Sequence, residues 1–138
     1  MSNPKKIIKA AFTTRLQTLP SLPSVAWGNY PFTPVTGVTY IEPTLHMGEP
    51  VQAELGTDGQ NRYTGFYQIS IYAPAGVGES AIDTLSVAIC DHFKRGTSMT
   101  NGGITFKVIR PPEIGPTMQD TGRQHVPISI YFMCDAPN

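Results

Sequence analysis

The sequence predicts an α+β fold: a mostly antiparallel β-sheet, two α-helices packed on one face, and a long hairpin arm. Three patterns carry this prediction. Residues 62–73 alternate with a two-residue period, placing Tyr63, Tyr67, Ile69 and Ile71 on one face and Phe66, Gln68, Ser70 and Tyr72 on the other. Two segments repeat apolar residues at three- and four-residue spacing, as amphipathic helices do. Gly56-Thr57-Asp58-Gly59-Gln60-Asn61 is a polar, glycine-rich turn of the kind that closes hairpins.

In chain order, Asn3 is the expected N-cap and Pro4 the first helical residue of a helix over 4–19. Ile7, Ile8, Ala11, Phe12, Leu16 and Leu19 form its apolar stripe, opposite Lys5, Lys9 and Thr13, and Pro20 ends it. The proline- and glycine-rich stretch that follows, 20–34, cannot be a long regular element. Its Val25, Trp27, Tyr30 and Phe32 are too apolar for water, so it packs along the surface. Val38, Tyr40 and Leu45 to Met47 predict a strand interrupted near Pro43, and Val51 to Leu55 continue the ladder. The 56–61 turn then joins it to the 62–73 strand, and its polar tip predicts an arm that moves in the free chain.

Pro74–Gly78 makes a turn, after which Ile82, Leu85, Ile89 and Phe93 line one side of the second helix. The turn Asn101-Gly102-Gly103 leads into an alternating strand over 104–109, and 110–124 reads as a long loop. The last strand alternates Val126, Ile128, Ile130, Phe132 and Cys134 with Pro127, Ser129, Tyr131 and Met133. Pro127 lacks a donor, which puts it at an edge or at the strand's first residue.

At 138 residues and 40% hydrophobic, the chain is read as one domain, 1–138, large enough for its own core. No apolar run approaches a membrane span, and Lys9 cuts the first apolar pair before a leader could form, so the chain is expected to stay in the cytoplasm where it is made. The net charge is zero, which makes no case for a membrane or for sequence-specific nucleic acid as partner. The charge is nevertheless zoned. Residues 1–41 hold four bases and no acid, whereas 42–92 hold seven acids against Arg62 alone. Two differently charged surfaces for two partners, or chance in a short chain, both account for this.

Motifs for catalysis are missing from the sequence. His46, His92 and His125 are not spaced as zinc ligands, and neither Cys90 nor Cys134 has a catalytic or metal-site context, so both read as buried free thiols. Gly76-Val77-Gly78 lacks the remaining glycine of a dinucleotide fingerprint and the Lys-Ser/Thr of a phosphate loop. Glu79, Asp83 and Asp91 are the solvated side of the second helix. No catalytic, cofactor-binding or metal residue is therefore assigned, no cofactor is expected, and an enzyme is not expected. Aromatics are instead in excess. With Tyr63, Tyr67, Tyr72, Phe66 and Tyr131 on strands, the second sheet face is buried either against another chain or beneath the 20–37 segment.

Several segments together resemble one family. They are the helix with Arg15 and Leu16, then Val25-Ala-Trp27-Gly-Asn29-x-x-Phe32-x-Pro34, and the tyrosine-bearing strand at 38–41. Gly65-x-x-Gln68-Ile-Ser-Ile-Tyr-Ala-Pro74-Ala-Gly76-x-Gly78 and Asp91-His-Phe93-Lys-Arg-Gly96 complete the set. Their order and spacing over 7–110, continuing weakly through the last strand, resemble the tail terminator (tail completion) proteins of long-tailed bacteriophages. The resemblance implies a virion structural protein that assembles as a homo-oligomer, a hexameric ring, on the tail tube protein and offers a surface to the head–tail connector. A neck adaptor of the same virion is the nearest alternative, and a small ligand-binding or enzymatic domain a remoter one. The family supplies no functional positions. By chemistry alone, Arg62, Asp58 and Arg110 are expected rim contacts, and Trp27, Phe32, Tyr63 and Tyr67 packed anchors of the interface.

Overall fold

The computed structural model describes residues 3–20, 22–28, 31–35, 37–76, 79–120 and 122–138. Val77 and Gly78 of the turn after the 62–73 strand, and Asn29 and Tyr30 of the proline-rich segment, lie outside the described residues.

Two long strands form the spine. Strands β4 (Gln60–Pro74) and β9 (Arg123–Pro137) pair antiparallel over their whole length, from Gln60 opposite Pro137 to Pro74 opposite Arg123. Both alternate as their sequence demands: Tyr63, Tyr67, Ile69 and Ile71 of β4 are buried, as are Val126, Ile128, Ile130, Phe132 and Cys134 of β9. Around them lie β1 (Ser24–Val25), β2 (Tyr40–Met47), β3 (Val51–Gln52), β5 (Ser98–Asn101), β6 (Ile104–Val108), β7 (Glu113–Ile114) and β8 (Met118–Asp120). The sheet order is β1-β2-β4-β9-β6-β5, with β3 on β4 and β7 and β8 on β9.

The sheet is mixed. Strand β1 runs parallel to β2, pairing Ser24 with Tyr40, and the other pairs are antiparallel. A two-residue parallel strand inside a proline-rich segment leaves no periodic trace, which is why the pattern alone reads as a mostly antiparallel sheet.

Two prolines sit inside strands where interruption is expected. Strand β2 runs without a break through Pro43, which lies opposite Ile69. Gly48 donates to the Thr64 carbonyl at 2.7 Å, so the even-numbered backbone groups of β2 point at β4 and the odd-numbered ones point away. The nitrogen of Pro43 thus faces outward, beyond the end of β1, where no donor is required. Pro127 lies within β9, opposite Ser70, rather than at its start. Its nitrogen faces the gap between β7 and β8, while its carbonyl accepts from Gly115 at 2.8 Å. The 110–124 segment is accordingly not a free loop: β6, β7 and β8 follow one another along β9 as a broken strand.

Helix α1 (Lys5–Gln17) begins one residue later than expected, with Pro4 at the cap position and the Asn3 Oδ1 accepting from the Lys5 amide at 3.0 Å. Its Ile8, Phe12 and Leu16 join one core with Ile82, Ile89 and Phe93 from helix α2 (Ser80–His92) and its end, and with the buried side chains of β4, β6 and β9. Phe12 is the centre of that core. Its ring stacks on Tyr67 at 4.6 Å and 12°, and lies within 6 Å of Phe93, Phe106 and Phe132. The helix ends are tied together: Arg15 Nε donates to the His92 carbonyl at 2.9 Å, and His92 Nε2 sits 2.7 Å from the Arg15 carbonyl. His92 is thus a capping residue of the opposite helix's last turn.

Candidate functional site

The sheet face opposite the core is built from cross-strand neighbours. Register places Tyr40, Tyr72 and His125 side by side on β2, β4 and β9, and likewise His46, Phe66 and Tyr131. Side chains directly opposite each other on one sheet face are close enough to stack. In the first row Phe32, Tyr40, Tyr72 and His125 follow at successive centroid distances of 4.9, 4.9 and 5.0 Å. In the second, His46 lies 4.6 Å from Phe66, Phe66 lies 5.5 Å from Tyr131, and the Arg110 guanidinium sits 3.7 Å above the Tyr131 ring. Between the rows run polar residues: Thr44, Gln68 and Ser129 in one register line, with Gln68 Nε2 donating to Ser70 Oγ.

The two rows differ in what covers them. Phe32 of the proline-rich segment lies against the first, and Arg123 clamps that segment by donating to the Val35 and Val38 carbonyls at 2.9 and 3.0 Å while its guanidinium sits over Tyr40. The second row has no such cover among the described residues, and its His46 and Arg110 are exposed. The aromatic surplus is therefore divided between a second packed layer and an open face. Beside the covered row, Trp27, Phe32, Tyr40, Pro43 and Glu42 line an open cleft of about 440 Å³.

The seven residues singled out by chemistry are not gathered in one place. Trp27 and Phe32 are half-buried and meet at the cleft. Arg110 is on the open row, and Asp58 is exposed at the tip of the arm. Arg62 is exposed but pairs within the chain, its Nε 3.0 Å from Asp135 directly across the ladder. Tyr63 and Tyr67 are core residues, 7% and 2% exposed, and so have almost no surface to offer a neighbour. Burial pushes the Tyr67 phenol up to about 12, partly offset by its hydrogen bond with Thr13. His46, His125, Tyr40 and Arg123 were not legible as surface components, because only strand register assembles them.

The arm comprises residues 48–59. β3 pairs with Asn61 and Arg62, and Gly56, at φ 95°, opens the tip. The tip is held from below: Asn138 donates to the Gly59 and Thr57 carbonyls at 3.0 and 2.6 Å. Val51 and Leu55 stand out from it, 61% and 92% exposed.

Among the described residues no group of three or more His, Cys, Asp or Glu is placed to hold a metal ion, and no helix is long and apolar enough to cross a membrane. Cys134 is buried and Cys90 half-buried, and both are free. Burial, with Asp135 beside it, pushes the Cys134 thiol up to about 11, and burial raises Cys90 as well, which disfavours the nucleophilic thiolate. What the surface displays is stacked rings, an open sheet edge and a projecting arm.

Comparison with known proteins gives this class its family. The pattern of the phage tail terminator protein family matches residues 7–132, and the chain belongs to that family, which makes it a structural tail component of a phage virion. A solved structure whose name states no function is similar over 97% of this chain and 96% of its own, at 27% identity and a TM-score of 0.76. Among proteins of curated function, none matches.

Proposed function

We propose that this protein caps the head-proximal end of the tail tube as a hexameric ring, ending tube polymerisation and forming the surface on which the head–tail connector docks. The observation that carries this reading is the family match over residues 7–132. The architecture supports it. A cyclic ring needs two different patches on each subunit, one meeting the other on the next copy. The sheet edge with the arm supplies one, and the zoned charge of the chain makes the two dissimilar. The open aromatic row, with Trp27, Phe32 and Arg110 near the same face, supplies anchors of the kind that dominate interface energies.

In this reading one ring face copies the next tube layer and binds the last one, while the other rejects a further tube subunit. Assembly takes place in the host cytoplasm and the ring ends in the virion neck. Electron microscopy of tail tubes grown with and without the purified protein tests it. A sixfold collar at one tube end, and growth arrested once the protein is added, are expected. Tubes that keep elongating and carry no added density would overturn the proposal.

A further inference from the structure

Beside the open edge of β2 lies a groove that the ring reading leaves without an occupant. Lys5, Lys9, Thr13 and Gln17 recur every fourth residue, so they form one stripe along α1, on the flank adjoining its buried Ile8, Phe12 and Leu16. Trp27 and Gly28 form the opposite wall, after β1 has ended. The floor is Pro43, Leu45 and the edge of Tyr67, enclosing a pocket of about 140 Å³ that Lys5 and Lys9 rim. The odd-numbered backbone groups of β2 point into this side and β1 covers them only at Tyr40 and Ile41, so the strand edge from Pro43 to Met47 is unpaired among the described residues. The groove therefore offers an apolar floor with Trp27 beside it, a basic rim and free strand-edge hydrogen bonds together.

The arm has the complementary chemistry. Residues 48–59 carry Glu49, Glu54 and Asp58 with no base, and they expose Val51 and Leu55. By contrast, residues 1–41 carry only bases, Lys5, Lys6, Lys9 and Arg15. The arm cannot reach the groove of its own chain. β3 is pinned at Asn61 and Arg62, whereas the groove lies beside Pro43 and Leu45, opposite Ile69 and Tyr67, about 20 Å further along the strand at about 3.3 Å per residue.

We propose that the acidic arm of one copy docks in the α1–β2 groove of the next, with Leu55 entering the pocket beside Trp27 and Leu45, and the arm's carboxylates meeting Lys5 and Lys9. This rests on the ring reading above and specifies the contact that would close the ring. Donor and acceptor are different patches of one chain, so the contact is head-to-tail and propagates around a cycle. The unpaired edge lets the incoming arm add main-chain hydrogen bonds, as strand addition does.

The test uses the full-length chain and three exposed sites. Glu49→Lys with Asp58→Lys reverses the arm, and Glu54 is left in place because its Oε1 accepts the Gln60 amide. Lys5→Glu with Lys9→Glu reverses the groove rim, and Leu55→Ser removes the apolar insertion. Self-association is followed by analytical ultracentrifugation, and occupancy of tube ends by electron microscopy, with thermal unfolding as the control for folding. Each change is expected to weaken association about tenfold or more, and the two reversals combined in one chain to restore it. Variants that assemble and cap as the parent does, or a double reversal that stays defective, would discard the arm–groove pairing and leave tube capping standing. A parent chain that neither self-associates nor marks tube ends would remove both. Loss with Leu55→Ser but no effect of either charge reversal would assign the groove to an uncharged segment of another protein, against the proposal.

Discussion

Tyr67 and Phe66 are adjacent aromatics on one strand with opposite fates. Tyr67 stacks on Phe12 inside the core, and its phenol is shifted from 10.0 to about 12. The shift is upward, so the neutral form is favoured in the folded state. Its contribution to stability is whole below pH 10 and is lost as pH rises toward about 12. Tyr67 is expected to ionise only as pH rises toward about 12 in a spectrophotometric titration, and Tyr67→Phe is expected to raise the alkaline unfolding midpoint. An unchanged midpoint would contradict this account. Phe12 contributes no chemistry but packs against Tyr67, Phe93, Phe106 and Phe132, and Phe12→Ala is expected to cost about 3–5 kcal/mol in denaturant unfolding, because the flanking rings cannot all collapse into the cavity. The parity of these residues was visible in the sequence. That Phe12, more than fifty positions earlier, would cover Tyr67 was not, because stacking partners are set by how the helix crosses the sheet.

At the scale of elements, the β2–β4 pair shows how closely two backbones can be forced together. Gly65 lies opposite Met47, and a Cβ there would collide with the His46 carbonyl. Gly65→Ala must push β2 away from β4, and is expected to cost about 1–3 kcal/mol and to loosen the His46–Phe66 stack. Thermal unfolding, with near-ultraviolet circular dichroism for the rings, would measure both. A variant as stable as the parent would mean β2 is free to move. By contrast the Arg62–Asp135 pair spans the ladder at the surface, with side chains 47% and 38% exposed. Solvent screens it, so Arg62→Ala is expected to unfold within experimental error of the parent. The prolines teach the same lesson about elements. Pro43 and Pro127 read as breaks because a missing donor usually interrupts a ladder, yet both nitrogens point away from β4, so pairing with that strand runs on through them. Which way an alternate amide points depends on strand pairing, and one-dimensional periodicity does not contain it.

For the whole molecule, the informative feature is the split of the aromatic face. The row closed by Phe32 and clamped by Arg123 belongs to the folded chain, whereas the row of His46, Phe66, Tyr131 and Arg110 is open. Phe66→Ala is expected to lower stability by only about 0.5–1.5 kcal/mol, the worth of a stacked pair, while reducing occupancy of tube ends strongly. Equal capping by variant and parent would place the tube contact elsewhere. If carboxylates and lysines close the ring, association should also weaken at about 1 M salt, where the Debye length falls to about 3 Å. Sedimentation at low and high salt would show it.

Local spacing by itself determined much of this protein. The period of two along β4 and β9, the period of three to four along α1 and α2, and the turn at 56–61 were all written in neighbouring residues, and with them the family likeness. Each depends on dihedral geometry that repeats over a few positions, so a short window holds the whole signal. Only the tertiary structure decided the parallel β1, the strands inside the 110–124 segment, the burial of Tyr63 and Tyr67, and the placing of a lysine-rimmed groove beside an unpaired strand edge. These follow from strand order and register, which join residues far apart in the chain, and a single step of register would carry each side chain to the opposite face.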